Sequence, residues 1–295
     1  MTRRVSASTR AHLALVAAAF FFGTTFVVVK DAVRDVGPVP FLGVRFAIGA
    51  AVAWLVARRR PVTPGWFRAG ALTGTVLMAG YLFQTIGLQY TTSTRSAFFT
   101  YLLTPAVPVL AALFLRRPPS LTTVAGIALA LVGVFLLNGA TLALGRGEAL
   151  TLGCALAFAV QIVMLAELSP KHDSHRLNAV QLGVVAVGCL VPGVFLGGYD
   201  FTFQAWWAAV YTGVFASAVA FGCMVWAQQW IGPSRTALLL MLEPVFAGVA
   251  GYLVGDRLGA LGITGALLIL GGILVAELGP RLLARPTAGP AAPTA

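Results

Sequence analysis

Residues 94–108 read TRSAFFTYLLTPAVP, and residues 234–245 read SRTALLLMLEPV. Each stretch opens at an arginine (Arg95, Arg235), runs through large apolar side chains, and meets a proline (Pro105, Pro244) inside a segment long enough to cross a bilayer. Proline inside a helix removes a backbone donor and frees a carbonyl. A chain that writes this awkward sentence twice is repeating a unit. The match extends outward on both sides. Tyr81, Gln89, Tyr90 and Arg95 correspond to Phe221, Gln229, Trp230 and Arg235 at a shift of 140. Pro105, Gly126 and Gly133 correspond to Pro244, Gly265 and Gly272 at a shift of 139, and Phe22 and Phe41 to Phe158 and Leu177 at 136.

The repeated unit is a set of membrane spans. The 295 residues are 59% hydrophobic and 10% charged, with a mean hydropathy of +0.89, whereas a soluble domain carries about 25% charged residues. Too little polar surface remains to cover a globule in water. At about 20 apolar residues per span, ten segments emerge: 12–29, 38–57, 67–89, 96–115, 121–140, 147–168, 177–197, 205–228, 235–254 and 258–278. The first resembles a signal peptide, but its apolar run is long, no cleavage site follows and more spans come after, so it is expected to remain. The organisation expected is a cytoplasmic N-terminus over 1–11, a five-helix repeat over 12–140, a second over 147–279, and a disordered Pro/Ala-rich cytoplasmic tail over 280–295.

Charge sets the orientation. Of the twenty Lys and Arg residues, fourteen fall in loops on one side, Arg58, Arg59 and Arg60 among them; five fall on the other side, and Arg45 lies inside a span. The positive-inside rule puts the arginine-rich side, with both termini, in the cytoplasm. Five is odd, so tandem copies enter the bilayer in opposite senses. The loops agree: ARRRP after span 2 is basic and LGGYD after span 7 is not. The fold class expected is all-α and integral to the membrane, ten transmembrane helices as two inverted five-helix repeats. Inverted repeats belong to alternating access around a midplane site, which implies a transporter with a small-molecule substrate. A channel is the alternative from another class, although no filter or ring of like charges is evident.

Other classes lose support. The net charge of +11 sits in short loop clusters, so nucleic acid is not an expected partner. Cys154, Cys189 and Cys223 lie in apolar runs without metal-ligand spacing, and no metal or other cofactor is expected. No HExxH, no GxSxG before a His-bearing span and no GxxxxGK[ST] occurs, so neither an intramembrane enzyme nor an ATP-driven pump is expected.

The two five-helix units, the proline of spans 4 and 9, G-x(6)-G in spans 5 and 10, FFFG in span 1, the arginine early in span 2 and LEP in span 9 together resemble the EamA-type drug/metabolite transporter superfamily. The resemblance covers residues 12–279 and is greatest to bacterial amino-acid and metabolite exporters, aromatic amino-acid exporters among them. It implies a cavity lined by spans 1, 3, 4, 6, 8 and 9, with spans 5 and 10 as dimer or scaffold helices, a monomer or homodimer in the inner (plasma) membrane, and outward transport. One departure is the loop after span 4, RRPP, where relatives often carry an acid; the second repeat keeps Asp256.

The expected substrate-binding residues are Phe22, Thr25, Tyr81, Gln84, Phe99, Tyr101, Phe158, Gln161, Phe221, Met241 and Glu243. The aromatics suit an apolar or aromatic body, and the amides and hydroxyls suit a zwitterionic head group, although each polar group alone also serves as helix–helix glue. About a third of nine mid-span aromatics, which also include Phe20, Phe98 and Trp226, are expected to reach the cavity. Tyr101 and its repeat mate Met241 form the favoured pair. Glu243 is either a partner for a substrate ammonium, a protonatable switch, or a locally paired group at the Pro244 kink. Arg45 is expected to pair with a carbonyl or with Asp31 or Asp35, with substrate carboxylate as the other reading. Arg95 and Arg235 suit snorkelling or helix-end roles, and Glu148 suits the positive end of a helix. Small organic solutes are the favoured cargo, amino acids including aromatic ones first among them, with drugs or organic cations as the alternative.

Overall fold

A span in lipid must satisfy its backbone groups internally, so apolar segments of this length become helices. In the computed structural model, which describes residues 6–91, 93–137, 144–253 and 259–283, they do. The helices are α1 (Ala7–Asp35), α2 (Pro38–Ala57), α3 (Trp66–Gly87), α4 (Ser93–Tyr101), α5 (Leu103–Leu115), α6 (Leu121–Leu137), α7 (Arg146–Leu168), α8 (Ser174–Gly193), α9 (Phe203–Tyr211), a π-helix (Thr212–Ala220), α10 (Phe221–Ala227), α11 (Pro233–Leu240), α12 (Glu243–Leu253) and α13 (Ala260–Leu283). Among the described residues, seven helical segments are long and apolar enough to span a membrane, and Leu121–Leu136 is a shorter apolar one. The broken α11/α12 pair and the 29-residue α1 complete ten runs that match the ten expected segments. Of the sequence expectations, residues 1–5, Asp256, Arg257 and the tail from 284 lie outside the described residues, as do the side chains of Lys30, Asp31, Arg34, Asp35, Arg95 and Arg281.

Local signals set the helix ends. Ser6 caps α1 by accepting from the Thr9 amide at 3.1 Å, and Asp173 caps α8 by accepting from the His175 and Arg176 amides. Pro38 and Pro233 open α2 and α11, where a missing N–H costs nothing. Glu148 accepts from the Gly145 amide at 2.8 Å and from Thr91 at 2.5 Å, the helix-start role its position suggested.

Three expected spans are not continuous. Span 4 breaks at Leu102, between α4 and α5; span 9 breaks at Met241–Leu242, between α11 and α12; and span 8 relaxes into the π-helix before α10. The first two breaks share a cause. Pro105 leaves the Tyr101 carbonyl without its amide, and Pro244 does the same to Leu240. α4 ends at Tyr101 and α11 at Leu240.

The repeats are antiparallel. Repeat mates α2 and α8 pack with Gly37 against the Leu196 carbonyl at one end. At the other end, Arg176 donates to the Arg58 and Arg60 carbonyls, at 3.4 Å and 2.6 Å for its Nη2. Arg58–Arg60 and Tyr199–Asp200 are thus at opposite ends of the bundle. Repeat mates α6 and α13 cross through glycines: a Cβ on Gly126 would collide with the Gly272 carbonyl, and one on Gly133 with that of Gly265. Gly126 corresponds to Gly265 and Gly133 to Gly272, so the two contacts exchange under the repeat operation, as a pseudo-two-fold axis requires. Small residues bring the backbones together where lipid provides no hydrophobic drive.

Candidate functional site

The core of the bundle is aromatic and symmetric. Phe22 of α1 meets Phe221 of α10 edge-to-face at 5.1 Å, and Tyr81 of α3 meets Phe158 of α7 in the same way at 5.3 Å. Phe22 and Phe158 are repeat mates, as are Tyr81 and Phe221. The two contacts therefore exchange under the repeat operation, and Tyr81 and Phe221, 6.1 Å apart, straddle the axis. These four rings wall a cavity of about 110 Å³.

The cavity also receives Thr25, Gln84, Tyr101, Gln161 and Glu243, so nine of the eleven expected residues share one chamber. Five of the nine mid-span aromatics reach it, more than the third expected; Phe20, half-exposed on the bundle surface, does not. Several polar groups are partly engaged. Thr25 donates to the Phe22 carbonyl at 2.6 Å, Gln84 to Thr100 at 3.3 Å, and Gln161 to Gln181 at 3.1 Å. The Tyr101 hydroxyl is buried beside the Glu243 carboxyl, yet no well-formed hydrogen bond joins them.

Phe99 and Met241 are the two expected residues that the cavity excludes. Phe99 is 4% exposed and packs edge-to-face on Phe98 at 5.2 Å. It lies two residues from Tyr101, about 200° around the helix at 3.6 residues per turn, so both cannot face one chamber. Met241 is 0% exposed, in the turn between α11 and α12. Tyr101 and Leu240 each lie four residues before the breaking proline and end their helices, so the mate of Tyr101 is Leu240, at a shift of 139. Leu240 lines the cavity.

Helix α2 was not among the expected cavity helices, yet it contributes Phe41, Leu42 and Arg45. Arg45 is 5% exposed. Its Nε donates to Ser217 at 3.2 Å, its Nη2 donates to the Tyr81 hydroxyl at 3.3 Å, and its guanidinium lies 4.9 Å from the Tyr81 ring centroid. The expected pairing with Asp31 or Asp35 falls on side chains outside the described residues. Gln228 donates to the Ile162 carbonyl at 2.8 Å and is buried outside the chamber.

The chamber sits toward one end of the bundle. It extends to Val29 and Leu88, near the ends of α1 and α3 that lie opposite the arginine-rich loops. Toward the arginine-rich end, a layer of fully buried residues closes it, among them Leu15, Leu165, Leu177 and Leu238. Beyond that layer, His12 of α1 contacts Glu277 of α13 at 3.0 Å, and Arg235 of α11 contacts the same carboxylate at 3.8 Å.

The comparisons agree with this architecture. The model of the "EamA-like transporter family" matches residues 9–139 and again 145–278. An uncharacterised transporter of Archaeoglobus fulgidus is 31% identical over 91% of this chain and 86% of its own length. The uncharacterised transporter YoaV of Bacillus subtilis is 25% identical over 89% and 95% respectively, and a chloroplastic WAT1-related protein of Arabidopsis thaliana is 27% identical over 87% and 66%. A solved crystal structure superposes with a TM-score of 0.79 at 20% identity, covering 93% of this chain and 99% of that one, which shows the shared fold. With both halves matched, the helices inverted and the cavity on the axis that relates them, the chain belongs to the EamA-like transporter family of multi-pass membrane proteins.

Proposed function

We propose that this transporter is a secondary carrier that exports small, largely apolar amino acids, aromatic ones included, from the cytoplasm across the plasma membrane by alternating access. The observation that carries the reading is the chamber itself: four aromatic rings on the pseudo-two-fold axis, with amides and the Glu243 carboxyl set among them. Aromatic walls accept an apolar or ring-bearing body, and a lone intramembrane carboxylate is a functional group by default. The arginine-rich end is the cytoplasmic one, so the conformation in hand faces outward and is sealed inward. Direction rests on the resemblance of the sequence to EamA-type exporters.

The substrate class is tested by counterflow in proteoliposomes, with amino acids and organic cations presented at two pH values. Transient accumulation of labelled phenylalanine into vesicles loaded with unlabelled phenylalanine supports the reading. Counterflow of organic cations alone replaces it with a cation exporter built on Glu243. Flux that neither saturates nor overshoots is channel behaviour and overturns it.

A further inference from the structure

The symmetric frame carries two charges that it does not repeat. Glu243 corresponds to Thr104 and Arg45 to Gln181, so neither charge is demanded by the fold. The Gln181 position shows what a structural role looks like there. Its amide donates to Asn178 at 3.0 Å and accepts from Gln161 at 3.1 Å, it is 0% exposed, and it does not line the chamber. Arg45 does line the chamber, and only two of its donor groups are engaged. No other acceptor and no carboxylate within ion-pairing distance meets it among the described residues. A cation held in a membrane interior is expensive and marks a functional site by default.

The guanidinium is also held in place. Glycines draw α2 onto the π-helix: a Cβ on Gly49 would lie 2.7 Å from the Ser217 Cβ, and one on Gly213 would lie 2.7 Å from the Arg45 carbonyl. That close approach sets Ser217 against the Arg45 Nε, while Tyr81 accepts from Nη2. A hydroxyl that accepts from Arg45 keeps its own proton for another partner, and the Tyr81 side chain lines the chamber. Arginine N–H groups beside a phenolic O–H form a donor set suited to a carboxylate. Glu243 lines the same chamber without ion-pairing to Arg45, so the guanidinium and the carboxyl are both available to a bound molecule.

We infer that Arg45 and the Tyr81 hydroxyl form a carboxylate-binding subsite, with Glu243 as the matching ammonium subsite, so that this chamber reads a zwitterion across its two ends. The inference deepens the amino-acid reading and rests on it. It also gives the π-helix a role, since that segment supplies Ser217 to brace the arginine.

The test uses purified full-length protein and ligand-induced thermal stabilisation with three probes sharing one ring: L-phenylalanine, phenethylamine, which lacks the carboxylate, and 3-phenylpropanoate, which lacks the ammonium. Arg45→Gln is expected to weaken L-phenylalanine and 3-phenylpropanoate by about tenfold or more, as loss of a charge-assisted bidentate contact does, and to leave phenethylamine unchanged. Glu243→Gln should produce the converse pattern. Tyr81→Phe removes only the hydroxyl and should weaken the two carboxylates selectively, which keeps the test decisive where Arg45→Gln fails to fold. Equal losses for all three probes make Arg45 a purely structural residue and overturn the subsite, as does no loss for any. Arg45-dependent binding of 3-phenylpropanoate without binding of L-phenylalanine upholds the subsite and removes the amino-acid reading. Binding of phenethylamine alone, or of none of the three, overturns the subsite.

Discussion

Glu243 stood out in the sequence because a carboxylate inside a span is rare and costly, and its place on the chamber wall follows from the Pro244 break that starts α12 there. Glu243→Gln should lower counterflow by about tenfold or more, and unchanged transport in reconstituted vesicles would remove the residue from the mechanism. Arg45 was harder to read. Its charge was visible, but the structure that makes it a chamber residue is the glycine contact of α2 with the π-helix, which no local pattern announces. A Gly49→Val variant tests that contact. Overpacking of this kind costs about 1–3 kcal/mol, so the melting temperature in detergent should fall by several degrees, and an unchanged melt would mean that the two helices are not in close contact. Met241 was misplaced for a similar reason. Counted back from the breaking prolines, Pro105 and Pro244, Tyr101 corresponds to Leu240, so a shift read at Arg95 and Arg235 overshoots by one residue.

At the scale of helices, the ten segments were readable from hydropathy and their doubling from sparse landmarks, because a bilayer leaves few other ways to satisfy the backbone. The proline breaks were foreshadowed by Pro105 and Pro244, although their location, at Tyr101 and Leu240, follows from which carbonyl each proline deprives. The π-helix was not readable, since Thr212–Ala220 carries neither proline nor a distinctive spacing. The α6/α13 crossing was foreshadowed by its glycines. Gly126→Leu should force these backbones apart and lower the yield of folded protein or its melting temperature, whereas Gly271→Leu, whose Cβ has only a 3.6 Å contact with Leu129, should do much less. Equal behaviour of the two variants would deny the close crossing. The His12–Glu277–Arg235 cluster ties α1, α13 and α11 at the arginine-rich end. A charge-assisted hydrogen bond is worth about 1.5–3 kcal/mol, so Glu277→Gln should raise maleimide labelling of Leu15→Cys several-fold. Unaltered labelling would show that the cluster does not hold that end shut.

The whole molecule is nearly symmetric and uses that symmetry asymmetrically. The rings obey the pseudo-two-fold axis, the charges do not, and the chamber lies toward one end. If each repeat can take the conformation of the other, repeat mates must exchange environments. Val29 lines the chamber and its mate Leu165 is fully buried in the seal. The direct measurement uses single cysteines at these two positions, in protein freed of Cys154, Cys189 and Cys223, labelled in membranes with and without L-phenylalanine. The account predicts that labelling at Leu165→Cys rises as labelling at Val29→Cys falls. Labelling that changes in the same direction at both sites, or a Leu165→Cys that stays unreactive while phenylalanine is being carried, would contradict it.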